Sequence, residues 1–367
     1  MNPCRPLSEN TLSRKEAQPT TWLHFIKHSV TKQAGTALLC ALLLHSSCSQ
    51  KQEAEAANLE ISPTVTTAQP DSAANPVMTA PETDAVAEAP SIKEADPWEY
   101  PGPKPTPGAV LPQKRIIAFY GNPLSRRMGI LGELPPDQML AKLDEEVQHW
   151  EAADSLTPVQ PALHAIVVTA QGKPGRAGKY RLRMTNKMID DVLAMAKKRD
   201  AIVFLDIQVG QSTLQEELPQ LAEYLKMPQV HLGIDAEFSM KNGGVPGRSI
   251  GSFDAEDINF ATEYLAELAQ ENQLPPKLLI VHRFTQGMIT NHDRIKLRPE
   301  VQVVMHMDGW GHPALKKDTY RRYIQKEPVQ FTGFKVFYKN DLRKSPRLMS
   351  PDEILALDPK PLYIQYQ

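Results

Sequence analysis

The sequence has little cysteine, and none of it lies in the part of the chain with a globular pattern. Three of the 367 residues are cysteines, Cys4, Cys40 and Cys48. Beyond residue 48 a disulfide scaffold, a cysteine-ligated zinc or iron–sulfur site and a cysteine nucleophile are therefore excluded.

Basic charge, long apolar runs and several familiar motifs are also missing. The formal net charge of −2 argues against a nucleic-acid partner, which normally meets a clearly basic domain. The apolar run at residues 34–44 has eleven residues, whereas a membrane-spanning helix needs about 20. No glycine-rich phosphate-binding turn follows the first predicted strand, and no HExxH helix is present.

The N-terminal segment has the pattern of an export signal. Lys27 and Lys32 precede the apolar run, which has the length of a signal-peptide core, and Ser46, Ser47 and Cys48 follow it. Small residues before a cysteine resemble the lipobox of bacterial lipoproteins, although His45 stands where that motif usually has leucine. The resemblance implies a signal peptide over residues 1–47, lipidation (palmitate) at Cys48 and a lipid-anchored protein of the bacterial cell envelope. A plain secretory signal is the alternative.

Residues 48–112 are predicted to be a disordered tether. Residues 49–112 contain eleven prolines and two aromatic residues, and residues 49–100 carry ten acidic side chains against two lysines. Such a segment buries too little apolar surface to offset its ordering entropy, and proline keeps it extended.

Eight short apolar runs, rich in β-branched and aromatic residues, follow from residue 113 to the end. They lie at residues 115–121, 163–170, 201–209, 231–238, 277–284, 301–308, 331–338 and 361–367. Helical patterns separate most of them, at residues 137–150, 185–199, 212–226, 254–272, 313–326 and 351–356, whereas residues 285–300 show no long helix. Strand–helix alternation over about 255 residues predicts a parallel (β/α)8 TIM barrel at residues 113–367, with a doubly wound open sheet as the alternative.

Polar residues share the inward phase of six predicted strands, near the ends where barrel enzymes carry their chemistry. An isolated buried charge costs several kcal/mol or is neutralised by a pKa shift, and a purely structural barrel would carry Val, Ile and Leu at these positions, so the pattern indicates an active or binding site. The candidate catalytic residues are Asp206, Asp235, Glu237 and Asp308. The candidate substrate-binding residues are Tyr120, Gln208, His282, His306, Trp310, Lys335, Tyr338 and Gln365. No cofactor and no metal are expected.

The Asp235-Ala236-Glu237 segment is the sharpest of these signals. Two carboxylates at i and i+2 on a strand face the same side about 7 Å apart. Their proximity is expected to raise one pKa, which gives a proton donor beside a permanent anion, as in carboxylate-pair glycosidases.

Two resemblances add to this interpretation. The segments YGNP at 120–123, MGILGE at 128–133, LDIQ at 205–208, GIDAE at 233–237, HMDGWG at 306–311 and YIQYQ at 363–367 resemble a family of bacterial secreted proteins and lipoproteins without an assigned activity. That resemblance implies export and one shared site.

More distantly, the fourth and sixth predicted strands resemble the chitinase-like glycoside hydrolases. Asp235, Glu237, Met305 and Asp308 match, while Gly233 and Met307 stand where that family has aspartate and tyrosine. The resemblance implies that Glu237 is the general acid and Asp235 its orienting partner.

The first hypothesis is therefore a membrane-tethered hydrolase that cleaves an envelope or extracellular carbohydrate. Glu237 would protonate the leaving oxygen, and Asp206 or Asp308 would position water or stabilise positive charge. A metal-dependent hydrolase with His282, His306, Asp235 and Asp308 as ligands is a second hypothesis. A non-catalytic binding or scaffold lipoprotein with a degenerate site is a third.

Overall fold

A computed structural model describes residues 98–367. The predicted signal peptide, the lipidation site at Cys48 and most of the predicted tether lie outside these residues. None of the helices between residues 98 and 367 is long and apolar enough to cross a membrane.

Eight parallel strands form a closed barrel. They are β1 (Arg115–Gly121), β2 (Val159–Ala170), β3 (Ile202–Ile207), β4 (Val230–Asp235), β5 (Lys277–Arg283), β6 (Val301–Met307), β7 (Phe331–Val336) and β8 (Tyr363–Tyr366). Each strand pairs in parallel with the next, and β8 pairs with β1, which closes the cylinder. The predicted (β/α)8 barrel is confirmed.

Helices cover the outside of the barrel. They are α1 (Ile130–Glu133), α2 (Pro136–Ala153), α3 (Asn186–Lys197), α4 (Leu214–Glu217), α5 (Ala222–Leu225), α6 (Ala255–Glu271), α7 (Pro313–Tyr320) and α8 (Pro351–Leu355). Thr185 caps α3 through its side chain, and Ser350 forms a capping box with Glu353 at α8.

Two predicted helices are shorter than expected. The helix predicted at residues 212–226 is broken by a 3-10 turn at Leu218–Leu221, because Pro219 has no amide hydrogen to donate. The one predicted at 313–326 ends in a π turn at Arg321–Gln325. Between β5 and β6 there are short 3-10 turns and the two-residue strand Ile289–Thr290, which agrees with the absence of a predicted long helix.

Residues 98–112 are packed, although they were predicted to belong to the disordered tether. The rings of Trp98 and Tyr100 contact Phe331 of β7. Leu111 is fully buried, and the Gln302 side chain bonds its backbone N–H and C=O. These apolar and polar contacts offset the ordering entropy of a proline-rich segment, so the predicted boundary at residue 112 is too late.

Candidate active site

The barrel interior has an apolar lower part and a polar upper part. The lower part is a separate buried cluster that includes Ile116, Phe204, Ile280 and Val304. Above it the inward positions carry the ionisable residues that the strand phase predicted. Leu232, Ile234 and Ala236 join the outer cluster beneath the helices, so the predicted phase of β4 is confirmed.

Asp206, at the end of β3, is the deepest carboxylate of the network. Tyr120 donates its hydroxyl to Asp206 Oδ2 at 3.0 Å, and His164 Nε2 lies 3.2 Å from Oδ1. Burial favours the neutral acid, but His282 and His164 outweigh it and lower the pKa of Asp206. Asp206 does not line the cavity above, so it orders its neighbours rather than facing a ligand.

His282 of β5 links two carboxylates. Its Nε2 lies 3.4 Å from Asp206 Oδ1, and its Nδ1 lies 2.8 Å from Asp308 Oδ2. Burial alone would lower the pKa of His282, but the two carboxylates raise it to about 10. The ring is therefore an imidazolium at neutral pH, held between two anions.

Asp308, just after β6, is held as an anion from two sides. Besides His282, the ammonium of Lys335 lies 3.0 Å from its Oδ1. Burial opposes the charge, but Lys335 and His282 lower the pKa of Asp308. The Lys335 ammonium also lies 3.8 Å from the centre of the Tyr120 ring, a cation–π contact that fixes its position.

The Asp235–Glu237 pair differs in detail from the prediction. Strand β4 ends at Asp235, and Ala236–Phe238 form a 3-10 turn whose first N–H groups need an acceptor. Asp235 Oδ1 accepts the backbone N–H of Glu237 at 3.0 Å, and Gln208 donates to Oδ2 at 3.3 Å. Asp235 therefore orients Glu237 by binding its backbone N–H. The two side chains do not lie side by side on one strand face, because the strand ends at Asp235.

Both carboxyls of this pair hold their protons unusually tightly. For each carboxyl, burial is the largest cause of the raised pKa. Burial and the repulsion of Asp308 together raise the pKa of Glu237 to about 7. For Asp235 burial, together with the charges of Asp206 and Asp308, raises the pKa to about 8 against the effect of His282. The sequence predicted that the closeness of the two carboxyls to each other would raise one pKa. Their mutual repulsion contributes less to the raised pKa than burial does.

A cavity of about 570 Å³ opens above this network. Seven of the predicted site residues line it, namely Tyr120, Gln208, Asp235, Glu237, Asp308, Trp310 and Lys335. Trp310 stands at the mouth with 45% of its surface exposed. The volume is within the range of small-molecule sites.

The other predicted residues lie elsewhere. His282, His306 and Gln365 are in the interior below the cavity, where Gln365 bonds the Tyr363 hydroxyl at 2.8 Å. Tyr338 lies outside the barrel, where it donates to Glu146 of α2 at 2.6 Å and stacks on Tyr366. Its place as a substrate-binding residue is not supported, because alternation already gives the inward position to Phe337, next to Lys335.

Residues of the loops, of strand β2 and of helix α7 complete the cavity, and the sequence analysis did not select them. The lining residues outside the predicted set are Arg127, Met128, Ile166, Ala170, Phe238, Phe284, Gly309, Leu315, Thr319, Phe337, Asn340 and Gln367. Arg127 is the charged side chain among them. The signal that was available is its place in the loop after β1, since barrel sites are built from the loops at that end.

The two departures from the chitinase-like pattern have a structural reason. A Cβ on Gly233 would lie 2.3 Å from His164 Nε2 and 2.4 Å from Asp206 Oδ1, so these side chains occupy the space of a further aspartate. Met307 faces the outer core, where it is fully buried.

Two groups of three residues have donors that suit a divalent cation. The ligand atoms of His164, Asp206 and His282, and those of His282, His306 and Asp308, lie within 4.8 Å of one another. Neither nitrogen of the buried His306 has a hydrogen-bond partner. However, Lys335 and His282 already occupy the oxygens of Asp308. A metal there would have to displace these cations.

Comparisons with known proteins give similarities in solved structures alone. No family model and no curated protein matches the chain. A Thermotoga maritima Cel5A structure in complex with cellobiose is 12% identical and covers 69% of this chain and 89% of its own, with a TM-score of 0.37. A broad-specificity GH5-4 endoglucanase from Clostridium longisporum is 11% identical, covering 61% and 75%, with a TM-score of 0.35.

A ruminal GH26 endo-β-1,4-mannanase is 12% identical and covers 70% of this chain and 59% of its own, with a TM-score of 0.32. The barrel assignment rests on the strand pairing described above. Likenesses at these values carry no argument about the reaction.

Proposed function

We propose that the chain is a membrane-tethered, glycosidase-like hydrolase that cleaves an envelope or extracellular carbohydrate by carboxylate acid–base catalysis. One observation carries the proposal: Glu237 and Asp308 line the same cavity, while their surroundings shift their pKa values in opposite directions. A divergent pair of carboxyls supplies a proton donor and a permanent anion at one pH.

Glu237 is the general acid of this proposal. A pKa of about 7 leaves a large fraction of the carboxyl protonated at neutral pH, so it can donate to the departing glycosidic oxygen. A water molecule then forms the new bond to the anomeric carbon and gives its proton to the Glu237 carboxylate, which restores the acid. Asp235 holds the backbone of Glu237 and thereby its direction.

Asp308 stabilises the positive charge that develops at the sugar ring. Both of its oxygens already bond cations, Lys335 on one side and His282 on the other. This engagement favours an electrostatic role over nucleophilic attack, because each contact withdraws electron density from the carboxylate. Trp310 offers an exposed ring at the mouth on which an apolar sugar face can stack.

The test is the substitution Glu237→Gln, with Glu267→Gln on the exposed face of α6 as a control. We expect hydrolysis of unactivated polysaccharides to fall by about 10²–10⁴-fold. Aryl glycosides with a dinitrophenolate leaving group should lose far less, because that group departs without a proton.

Full hydrolysis by Glu237→Gln would reject the role of this residue. Activity that a chelator removes would favour the metal-dependent hydrolase. Binding of saccharides without turnover by the wild-type protein would favour the non-catalytic lipoprotein.

A further inference from the structure

A second cavity, of about 310 Å³, adjoins the one above Glu237. The two share four lining residues, Arg127, Phe337, Asn340 and Gln367, so they lie side by side. Two adjacent cavities of this kind suit a ligand longer than a single sugar, with one part above Glu237 and the next part in the second cavity.

The second cavity is lined mainly by basic charge. Arg126, Arg127, Lys339 and Arg343 contribute four cations, and Glu133 is the carboxylate side chain among the lining residues. Glu133 is already paired, since Lys339 Nζ lies 2.6 Å from its Oε1.

The three arginines of this cleft have no such partner. Within residues 98–367 no carboxylate lies within 4.0 Å of Arg126, Arg127 or Arg343. Several other arginines do pair closely with carboxylates, as Arg181 and Arg183 do with Glu217 at 2.6 Å, although Arg176, Arg248 and Arg294 are not paired within residues 98–367 either. What sets Arg126, Arg127 and Arg343 apart is that all three line one cleft. Guanidinium groups that converge on a groove without an internal counter-ion are suited to an external one.

The loop that carries Arg126 and Arg127 is fixed from within. The side chain of Asn122 donates to the Ile166 carbonyl at 3.1 Å and accepts the N–H of Leu124 at 2.9 Å. Gly129 closes the loop, because a Cβ there would lie 2.3 Å from the Tyr120 carbonyl oxygen.

The loop that carries Lys339 and Arg343 is fixed in a comparable way. The buried carboxylate of Asp341 accepts the N–H groups of Phe337 and Gly311 and pairs with the Lys316 ammonium. The backbones that present the cations are thus held before any ligand binds, which reduces the entropy cost of binding.

We propose that this basic cleft binds the anionic group of an acidic glycan, a carboxylate, sulfate or phosphate carried by a sugar next to the one at Glu237. The inference deepens the proposed function, on which it rests for the saccharide part of the ligand. Bidentate contacts from guanidinium to an oxyanion give both charge and direction, so the cleft selects acidic over neutral chains.

The experiment compares polymers that share one backbone. Binding of the protein to carboxymethyl, sulfated and phosphorylated cellulose is measured against hydroxyethyl cellulose by affinity electrophoresis at two salt concentrations. The variants are Arg126→Gln/Arg343→Gln and, as a control of equal charge change, Lys173→Gln/Arg176→Gln on the exposed loop after β2.

We expect the wild-type protein to bind at least one anionic polymer about tenfold more tightly than the neutral one, with a loss at high salt. The cleft variant should remove most of this preference, and the control variant should keep it. The anionic polymer that the protein binds most tightly identifies the anion that the cleft prefers.

Equal affinity for neutral and anionic polymers, no binding to any anionic polymer, or equal loss in both double variants would overturn the inference. Cleavage of the same polymers separates it from the proposed function. Glu237-dependent cleavage without charge preference leaves the hydrolase standing, whereas charge-selective binding without cleavage supports the cleft and contradicts the hydrolase.

Discussion

At the scale of single residues, the polar interior is stable because its charges compensate one another. Asp206 and Asp308 are held as anions, while His282 and Lys335 supply the cations between them. Asp235 and Glu237 avoid the cost of burial by retaining protons. An unpaired buried charge would cost several kcal/mol, so the network is expected to fail when one of its cations is removed.

His282 and His306 are both fully buried in the polar interior, so the same substitution can be compared at the two positions. We expect His282→Leu to lower the free energy of unfolding by about 3–5 kcal/mol, because it leaves two buried carboxylates without their shared cation. His306→Leu should cost less than about 1 kcal/mol, since neither nitrogen of His306 has a hydrogen-bond partner. Denaturant unfolding of both variants checks the pair, and equal losses would contradict the imidazolium role of His282.

The residues that face inward were predictable from the sequence, whereas their bonding was not. Alternation along each strand was enough to place Asp206, His282 and Lys335 in one interior. It cannot tell that Asp206 lies below the cavity, because depth depends on the stagger between strands. The role of Asp235 as a cap also depends on where β4 ends, which strand periodicity does not fix.

At the scale of elements, the strands were predicted closely and the helices less so. The bounds of β1 agree with the prediction, because a buried parallel strand is a continuous apolar run. Pro219 interrupts a helix whose amphipathic pattern continues across it. Tertiary contacts that order residues 98–112 leave no local signal in a proline-rich segment, so the tether was predicted to extend too far.

Gly233 of strand β4 packs directly against polar side chains of the barrel interior, where a larger residue would not fit. We expect Gly233→Ala to destabilise the fold by about 1–3 kcal/mol, because the new methyl group overlaps His164 and Asp206. Gly287→Ala is the control, since a Cβ there meets no atom within 4 Å. Thermal unfolding of the two variants measures the difference, and an unchanged midpoint for Gly233→Ala would show that the interior is looser than described.

At the scale of the whole molecule, a predicted export signal precedes a barrel with a buried acid–base network. The signal and the lipid anchor are predictions from the sequence alone. They fit the proposed hydrolase of an envelope carbohydrate, because a tether would keep such an enzyme at that surface.

The anchor is tested by fractionation of cells that produce the full chain. We expect Cys48→Ser to move the protein from the membrane to the soluble exported fraction, since lipidation requires the thiol. Cys40→Ser, within the apolar run, is the control and should leave the protein in the membrane. The plain secretory signal predicts that both variants and the wild-type protein are soluble.

The central claim is that Glu237 keeps its proton at a pH where Asp308 has lost its own. Infrared difference spectra between the wild-type protein and Glu237→Gln, recorded from about pH 4 to about pH 9, report this proton directly through the carbonyl stretch of the acid. We predict a band that is present at low pH and halves near pH 7, with activity lost on the same rise in pH. A band that has already halved near the ordinary value of 4.5 would contradict it.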